Sequence, residues 1–232
     1  MEDNIQVQMP IRFRVSPTSV QLQNTAQYPE ALHGENLLLR ELTHRMANDW
    51  TTAISTLSMA ARRSDSLDVK TVLAHVSRKL FAQAELMRAL QISEYSTPVD
   101  AAEYLGRLCL AISRSRLDGM NIRLVFAADP LTMDSDRCLR LGMIVSELVA
   151  NSARHAFRER HDDHGRIIRV DLRHDGGVAG CRISDNGSAT PAIRPGHGTA
   201  IVRELVASIG GTIEQTFSSN GSVSELHFQT QE

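Results

Sequence analysis

Residues 141–157 read LGMIVSELVANSARHAF, and within them Glu147, Asn151 and His155 recur every fourth position. On an α-helix that spacing sets the three side chains on one face, while Val145, Leu148 and Val149 point elsewhere. The pattern predicts a long helix from about Ser135 to Phe157. A carboxylate beside an amide offers hard oxygen ligands to Mg2+, or positions a water. Arg154 lies next to them, where a guanidinium can meet a phosphate. Taken alone, the same residues also describe an ordinary polar helix face.

The flanking segments alternate in type. Ile122, Leu124 and Phe126 alternate with polar positions and predict a strand over 122–126, preceded by a helix over about 98–116. Thr97, Pro98 and Asp100 read as the N-cap, first position and first turn of that helix. Strands are expected at Ile168–Leu172 and Ala179–Ser184, then a helix from about Gly198 to Ile209. A closing hairpin would pair Thr212–Thr216 with Ser222–Phe228 through an Asn220-Gly221 turn. This half reads as an α/β sandwich, helices packed on one face of a mixed sheet. Two loops in it carry possible chemistry. Ser184-Asp185-Asn186-Gly187 ends a strand, so Asp185 can accept a hydrogen bond from a buried amino group such as that of adenine; the same residues also suit a plain turn. Pro195-Gly196-His197-Gly198-Thr199 opens a helix, where Gly196 and Gly198 let the backbone approach an anion, or simply give a flexible helix start.

The N-terminal half differs. Leu39, Leu42, Met46, Trp50, Ala53, Leu57 and Ala60 recur at steps of three and four, as do Val69, Val72, Val76, Leu80, Ala84, Met87 and Leu90. Between the two stripes Arg62-Arg63-Ser64-Asp65-Ser66 reads as the end of one helix and the caps of the next. Two long amphipathic helices with a short connection form an antiparallel hairpin. Such a hairpin has more apolar face than it can bury, and a dimer forming a four-helix bundle would cover it. His44 lies about 200° around the first helix from both Leu42 and Met46, away from the stripe. Glu41, His44 and Asn48 share one exposed face, which is either a solvated surface or an imidazole nucleophile whose other nitrogen is held by the carboxylate. Residues 1–34 show no helical period and read as a loose tail or a short strand. The whole is an α+β chain: residues 35–95 a helical hairpin, residues 96–232 an α/β sandwich.

Composition narrows the class. The 232 residues are 42% apolar and 22% charged with only 4% aromatic, which predicts a globular protein with an aliphatic core. The net charge of −2 argues against a nucleic acid or an anionic membrane surface as main partner. Cys109, Cys138 and Cys181 make no metal-ligand spacing and fit a reducing compartment. With no apolar run of membrane-spanning length and no secretory pattern at the N-terminus, the expectation is a cytoplasmic protein without membrane insertion.

The order of these features, in LLRELTHRMANDW, LGMIVSELVANSARHAF, ISDNG and GHGTAIVRELVASIGGTIE, resembles the sensor histidine kinases. More narrowly, it resembles the subfamily with an H-R-x-x-N phosphoacceptor helix, HisKA_2-like, joined to an ATPase domain of the GHKL or Bergerat type. It covers about residues 35–230. The resemblance implies an ATP-dependent protein histidine kinase of a two-component system, with ATP and Mg2+ as cofactors. His44 would be the phosphoacceptor, Glu41 a candidate base since Arg45 follows the histidine, and Asn48 part of the same motif. Asn151 would ligate Mg2+, with Glu147 the polar partner nearby. Arg154 and His155 would stand near the phosphates. Asp185 would receive the adenine amino group and Gly187 would let the base approach. Gly196 and Gly198 would line the phosphate path, and Gly221-Ser222 stands where the family has Gly-Thr. The implied partners are a response-regulator receiver domain and a second copy of the chain; no sensor domain is legible, so the signal is expected from a separate sensor protein, from a region outside this sequence, or not at all.

The chain departs from the family pattern in three places. Ala189 replaces the second glycine of D-x-G-x-G, the segment SATPAIRP over 188–195 is short for an ATP lid, and Thr199 replaces an apolar residue. These departures keep open an alternative, a histidine phosphotransfer protein whose kinase-like domain does not use ATP. A third reading is an ATP-binding partner-switch module without histidine phosphorylation, which the His44 motif disfavours.

Overall fold

The computed structural model describes residues 45, 48–92, 98–157, 165–188 and 197–230. Two compact units divide these residues, one holding 45–120 and 130–146, the other 121–129 and 147–230.

In the first unit, helix α1 runs through residues 48–63 and α2 spans Leu67–Ala89. Ser66 is the N-cap of α2, its hydroxyl accepting from the Val69 N–H at 3.4 Å, and Arg88 near the end of α2 reaches Thr51 of α1 at 3.4 Å. The expected antiparallel hairpin is therefore present. Its stripes are unevenly covered. Of the second stripe only Ala84 is buried, while Val69, Val72 and Val76 are 44%, 61% and 37% exposed; Leu86, off the stripe, is buried, and Leu67 and Phe81 beside it are exposed. The first half of α2 thus keeps its valines in solvent, because a single hairpin has nothing to lay over them.

A short strand β1 (Val99–Asp100) pairs antiparallel with β3 (Thr132–Met133) before helix α3 (Ala101–Ile112). The sequence expectation of a helix from Pro98 is corrected here. Asp100 is itself the N-cap, its Oδ1 accepting from the N–H groups of Ala102 and Glu103 at 2.9 and 3.0 Å, so the helix starts three residues later. Thr97 lies outside the described residues. The alternation of these two-residue strands is too short to be read as a period, which is why neither was foreseen. Helix α3 ends in a π-helical turn, Ser113–Leu117. The OH of Tyr104, fully buried, donates to the Leu90 carbonyl at 3.4 Å, and its ring fills the space a Cβ would need at Gly142.

The second unit holds a five-stranded sheet in the order β2-β4-β5-β7-β6: β2 (Ile122–Ala128), β4 (Arg166–Asp175), β5 (Val178–Asp185), β6 (Gly211–Ser218) and β7 (Gly221–Gln229). The β2–β4 pair is parallel and the others antiparallel, so the sheet is mixed as expected. Period-two alternation buries Ile168, Val170 and Leu172 on β4, Ala179, Cys181 and Ile183 on β5, and Leu226 and Phe228 on β7. The opposite face is polar. There Arg182 sits between its register partners Asp171 and Glu225 and meets the Glu225 carboxylate at 3.6 Å. Two helices belong to this unit: α5 (His197–Ser208), and the part of α4 (Ser135–His155) from Glu147 onward, which buries Leu148, Val149 and Ala153. Asn220-Gly221 is not the hairpin turn. Ser218 pairs with Gly221, so Ser219 and Asn220 make the turn and Gly221 opens β7 with φ +131°. The glycine serves a close approach instead: a Cβ there would collide with the Asp185 carbonyl oxygen.

Candidate nucleotide site

The site lies within the second unit, where the end of β5 meets α4 and the start of β7. Asp185 closes β5 with 8% of its surface exposed. Its Oδ1 accepts from the Gly187 N–H at 3.0 Å and the Ser222 N–H at 3.1 Å. Its Oδ2 accepts from the Ser152 hydroxyl at 2.8 Å and the Ser222 hydroxyl at 2.5 Å. Burying a carboxylate is costly unless hydrogen bonds hold the charge, and here four donors do so.

Gly187 is a steric requirement as well. A Cβ at this position would run into the Ala156 carbonyl, and the next N–H, from Ser188, donates to that same oxygen at 2.8 Å. The loop after β5 is thereby fastened to the last turn of α4. Asn186 fastens its other side: Nδ2 donates to the Gly165 carbonyl at 2.9 Å and Oδ1 accepts from the Ile167 N–H at 2.8 Å.

On α4, Arg154 Nη2 donates to Glu147 Oε1 and to Asn151 Oδ1, both at 3.0 Å, and Nε donates to the Ala150 carbonyl at 3.2 Å. Two oxygens therefore converge on one cationic nitrogen. A hard divalent cation asks for the same kind of donors, an amide oxygen and a carboxylate, completed by waters and phosphate, so the residues present fit Mg2+. No group of three or more His, Cys, Asp or Glu side chains forms a ready metal cage among the described residues. The start of α5 lies against this cluster, because a Cβ at Gly198 would strike Glu147 Oε1. A small cleft beside it is lined by Leu148, Asn151, Thr199, Val202, Ile213 and Gln215.

The sequence-derived residues Glu147, Asn151, Arg154, Gly198, Asp185, Gly187 and Ser222 thus fall around one end of one unit. His155 is exposed in the last turn of α4, and Asn48 is exposed on α1. Glu41, His44 and Gly196 lie outside the described residues. Sequence reasoning missed Ser152 and Asn186. Serine in a helix interior is a weak helix former that competes for backbone bonds, and that misfit was the available signal for Ser152. Asn186 was read only as turn chemistry.

Comparison with known proteins bears on both halves. Residues 41–116 match the family HisKA_2, described as histidine kinase. The blue-light-activated histidine kinase 2 of Erythrobacter litoralis is 25% identical over 201 residues, covering 80% of this chain and 55% of that protein. The sensor histidine kinase PdtaS of Mycobacterium tuberculosis is 29% identical over 141 residues, covering 61% of this chain and 28% of that protein. The chain thus spans about half the length of the first relative and less of the second. Among solved structures, the histidine kinase domain of the Erythrobacter litoralis EL346 blue-light activated kinase superposes with a TM-score of 0.56 at 20% identity, over 79% of this chain and 94% of that domain. In its segment 41–116 the chain is thus similar to the HisKA_2 histidine kinases, and its fold is similar to that of a histidine kinase domain.

Proposed function

We propose that the protein is an ATP-dependent protein histidine kinase that phosphorylates its own His44 and passes the phosphoryl group to an aspartate of a response-regulator receiver domain. The observation that carries this reading is the Asp185 cluster. A carboxylate held at the end of β5 by two backbone N–H groups accepts from the hydroxyl of Ser152, the residue next to Asn151. A receiver for an amino group and an oxygen donor for the phosphate end are thereby held on adjacent elements. The HisKA_2 match, which includes position 44, supports the acceptor half of the reading.

In this reading residues 35–95 form the dimerisation and phosphoacceptor hairpin and residues 96–232 the ATP-binding domain. Asp185 receives the adenine amino group, with Gly187 and Ser222 around it. Asn151 holds Mg2+ with Glu147 nearby, and Arg154 leaves their oxygens to meet the phosphates with His155. Gly196 and Gly198 flank the phosphate path. The cation supplies charge neutralisation on the phosphate oxygens. The N–P bond to an imidazole nitrogen of His44 forms as the bond between the γ-phosphorus and the β–γ bridging oxygen breaks, and ADP leaves. Positioning and electrostatics carry most of such a rate. Glu41 is the candidate base and Asn48 completes the face around the histidine. The exposed valines of α2 support a homodimer.

The test is incubation of the purified protein with γ-labelled ATP and Mg2+. Labelling is expected, in an acid-labile form, and His44→Ala should abolish it. Label that survives that substitution removes His44 from the role.

A further inference from the structure

The Asp185 carboxylate has no unused acceptor position. A carboxylate offers about four lone-pair sites, and four donors fill them: the N–H groups of Gly187 and Ser222 on Oδ1, the hydroxyls of Ser152 and Ser222 on Oδ2. A ligand amino group that seeks this carboxylate must therefore displace one of them. The Oδ1 donors are backbone groups whose positions are fixed. Gly187 is pressed against Ala156, and Gly221, just before Ser222, is pressed against the Asp185 carbonyl. Exchange is therefore confined to Oδ2 and its two hydroxyls.

The two hydroxyls are not equivalent. Ser152 lies inside helix α4, where a serine hydroxyl that turns away can donate to the carbonyl four residues earlier, that of Leu148. Its proton has a second acceptor, and its departure leaves nothing unsatisfied. Ser222 stands near the start of β7, in extended backbone that offers no such local carbonyl. It also holds Asp185 by both its N–H and its hydroxyl, the latter at 2.5 Å against 2.8 Å for Ser152.

We propose that Ser152 is a positioning residue of the nucleotide site, its hydroxyl occupying the carboxylate position the ligand's amino group takes and turning to the Leu148 carbonyl when ligand binds. The inference rests on the reading of Asp185 as the adenine receiver. It makes Ser152 a competitor, so that deleting its hydroxyl strengthens nucleotide binding, where deleting a residue that contacts the ligand weakens it.

The test compares wild type, Ser152→Ala and Ser152→Thr on the full chain by calorimetric titration with ADP and, separately, GDP. Ser152→Ala should bind ADP roughly three- to tenfold more tightly, the fold-change of one ordinary hydrogen bond. Its ligand-free melting temperature should fall, since a buried carboxylate loses a donor. Ser152→Thr, which keeps the hydroxyl, should restore both values. GDP lacks the amino group at that ring position and should show no gain. Equal or weaker ADP binding by Ser152→Ala, with wild type binding ADP, overturns the competitor role and leaves the nucleotide reading standing. Equal gains for ADP and GDP also overturn it. ADP binding by neither protein overturns the nucleotide reading itself, whereas binding by Ser152→Ala alone supports the inference.

Discussion

Gly221 and Gly187 look alike in sequence, each following an Asn, yet neither makes the turn that Asn-Gly suggests. Gly221 has φ +131° and no room for a Cβ above the Asp185 carbonyl; Gly187 has none against Ala156. Gly221→Ala should therefore cost roughly 2 to 4 kcal/mol, adding backbone strain to a buried clash. Urea unfolding at neutral pH would measure it, and a loss below about 1 kcal/mol would mean the strand has room to shift. Glu147 and Asn151 were legible because the helix period fixes which side chains share a face, and Asp185 from its place at a strand end, whereas Ser222 was singled out only through the family resemblance. The demands on these glycines were not legible, since they arise from residues more than thirty positions away.

Element boundaries tell the same story. The long helix and the central strands have enough turns or alternations for periodicity to show, and they fall where their patterns put them. Helix α3 was misplaced because Asp100 is both a β1 residue and the cap. Asp100→Ala should destabilise the protein by about 1 kcal/mol, as loss of an N-cap does, readable as a lower urea midpoint. Packing on α3 and α4 also sets two thiols. Burial pushes Cys109 from 9.0 up to about 12. Cys138 is pushed to about 12 by burial first and then by the Asp100 and Asp134 carboxylates, against the Arg107 guanidinium. The folded state thus holds these protons to higher pH than the unfolded chain, and their contribution to stability is intact below pH 9 and lost as pH rises from there toward 12. Stability measured across that window should fall more steeply for wild type than for a Cys109→Ala, Cys138→Ala variant. Matching slopes would show that the thiols do not drive the loss.

For the molecule as a whole, the exposed Leu67, Val69, Val72 and Val76 along α2 are the feature no single copy accommodates. A homodimer through the hairpin should appear by light scattering at tens of micromolar, and Val72→Glu with Val76→Glu should shift it to monomer. A monomeric wild type at that concentration would remove the bundle. Among the described residues no helix is long and apolar enough to cross a membrane. The hairpin was legible in sequence from its two stripes. The identity of the cover was not, because a stripe specifies only that something apolar must meet it.

The close approach of Gly187 to Ala156 and the bond from Ser188 to the Ala156 carbonyl tie the carboxyl end of one strand to the end of one helix. Such a bracket is assembled once, during folding, and its ordering entropy is spent then. An incoming molecule that grips both arms need not freeze them itself. Its encounter should leave the backbone amides of 185–187 and 152–156 as slow to exchange with deuterium as before, confining any added protection to segments outside the bracket.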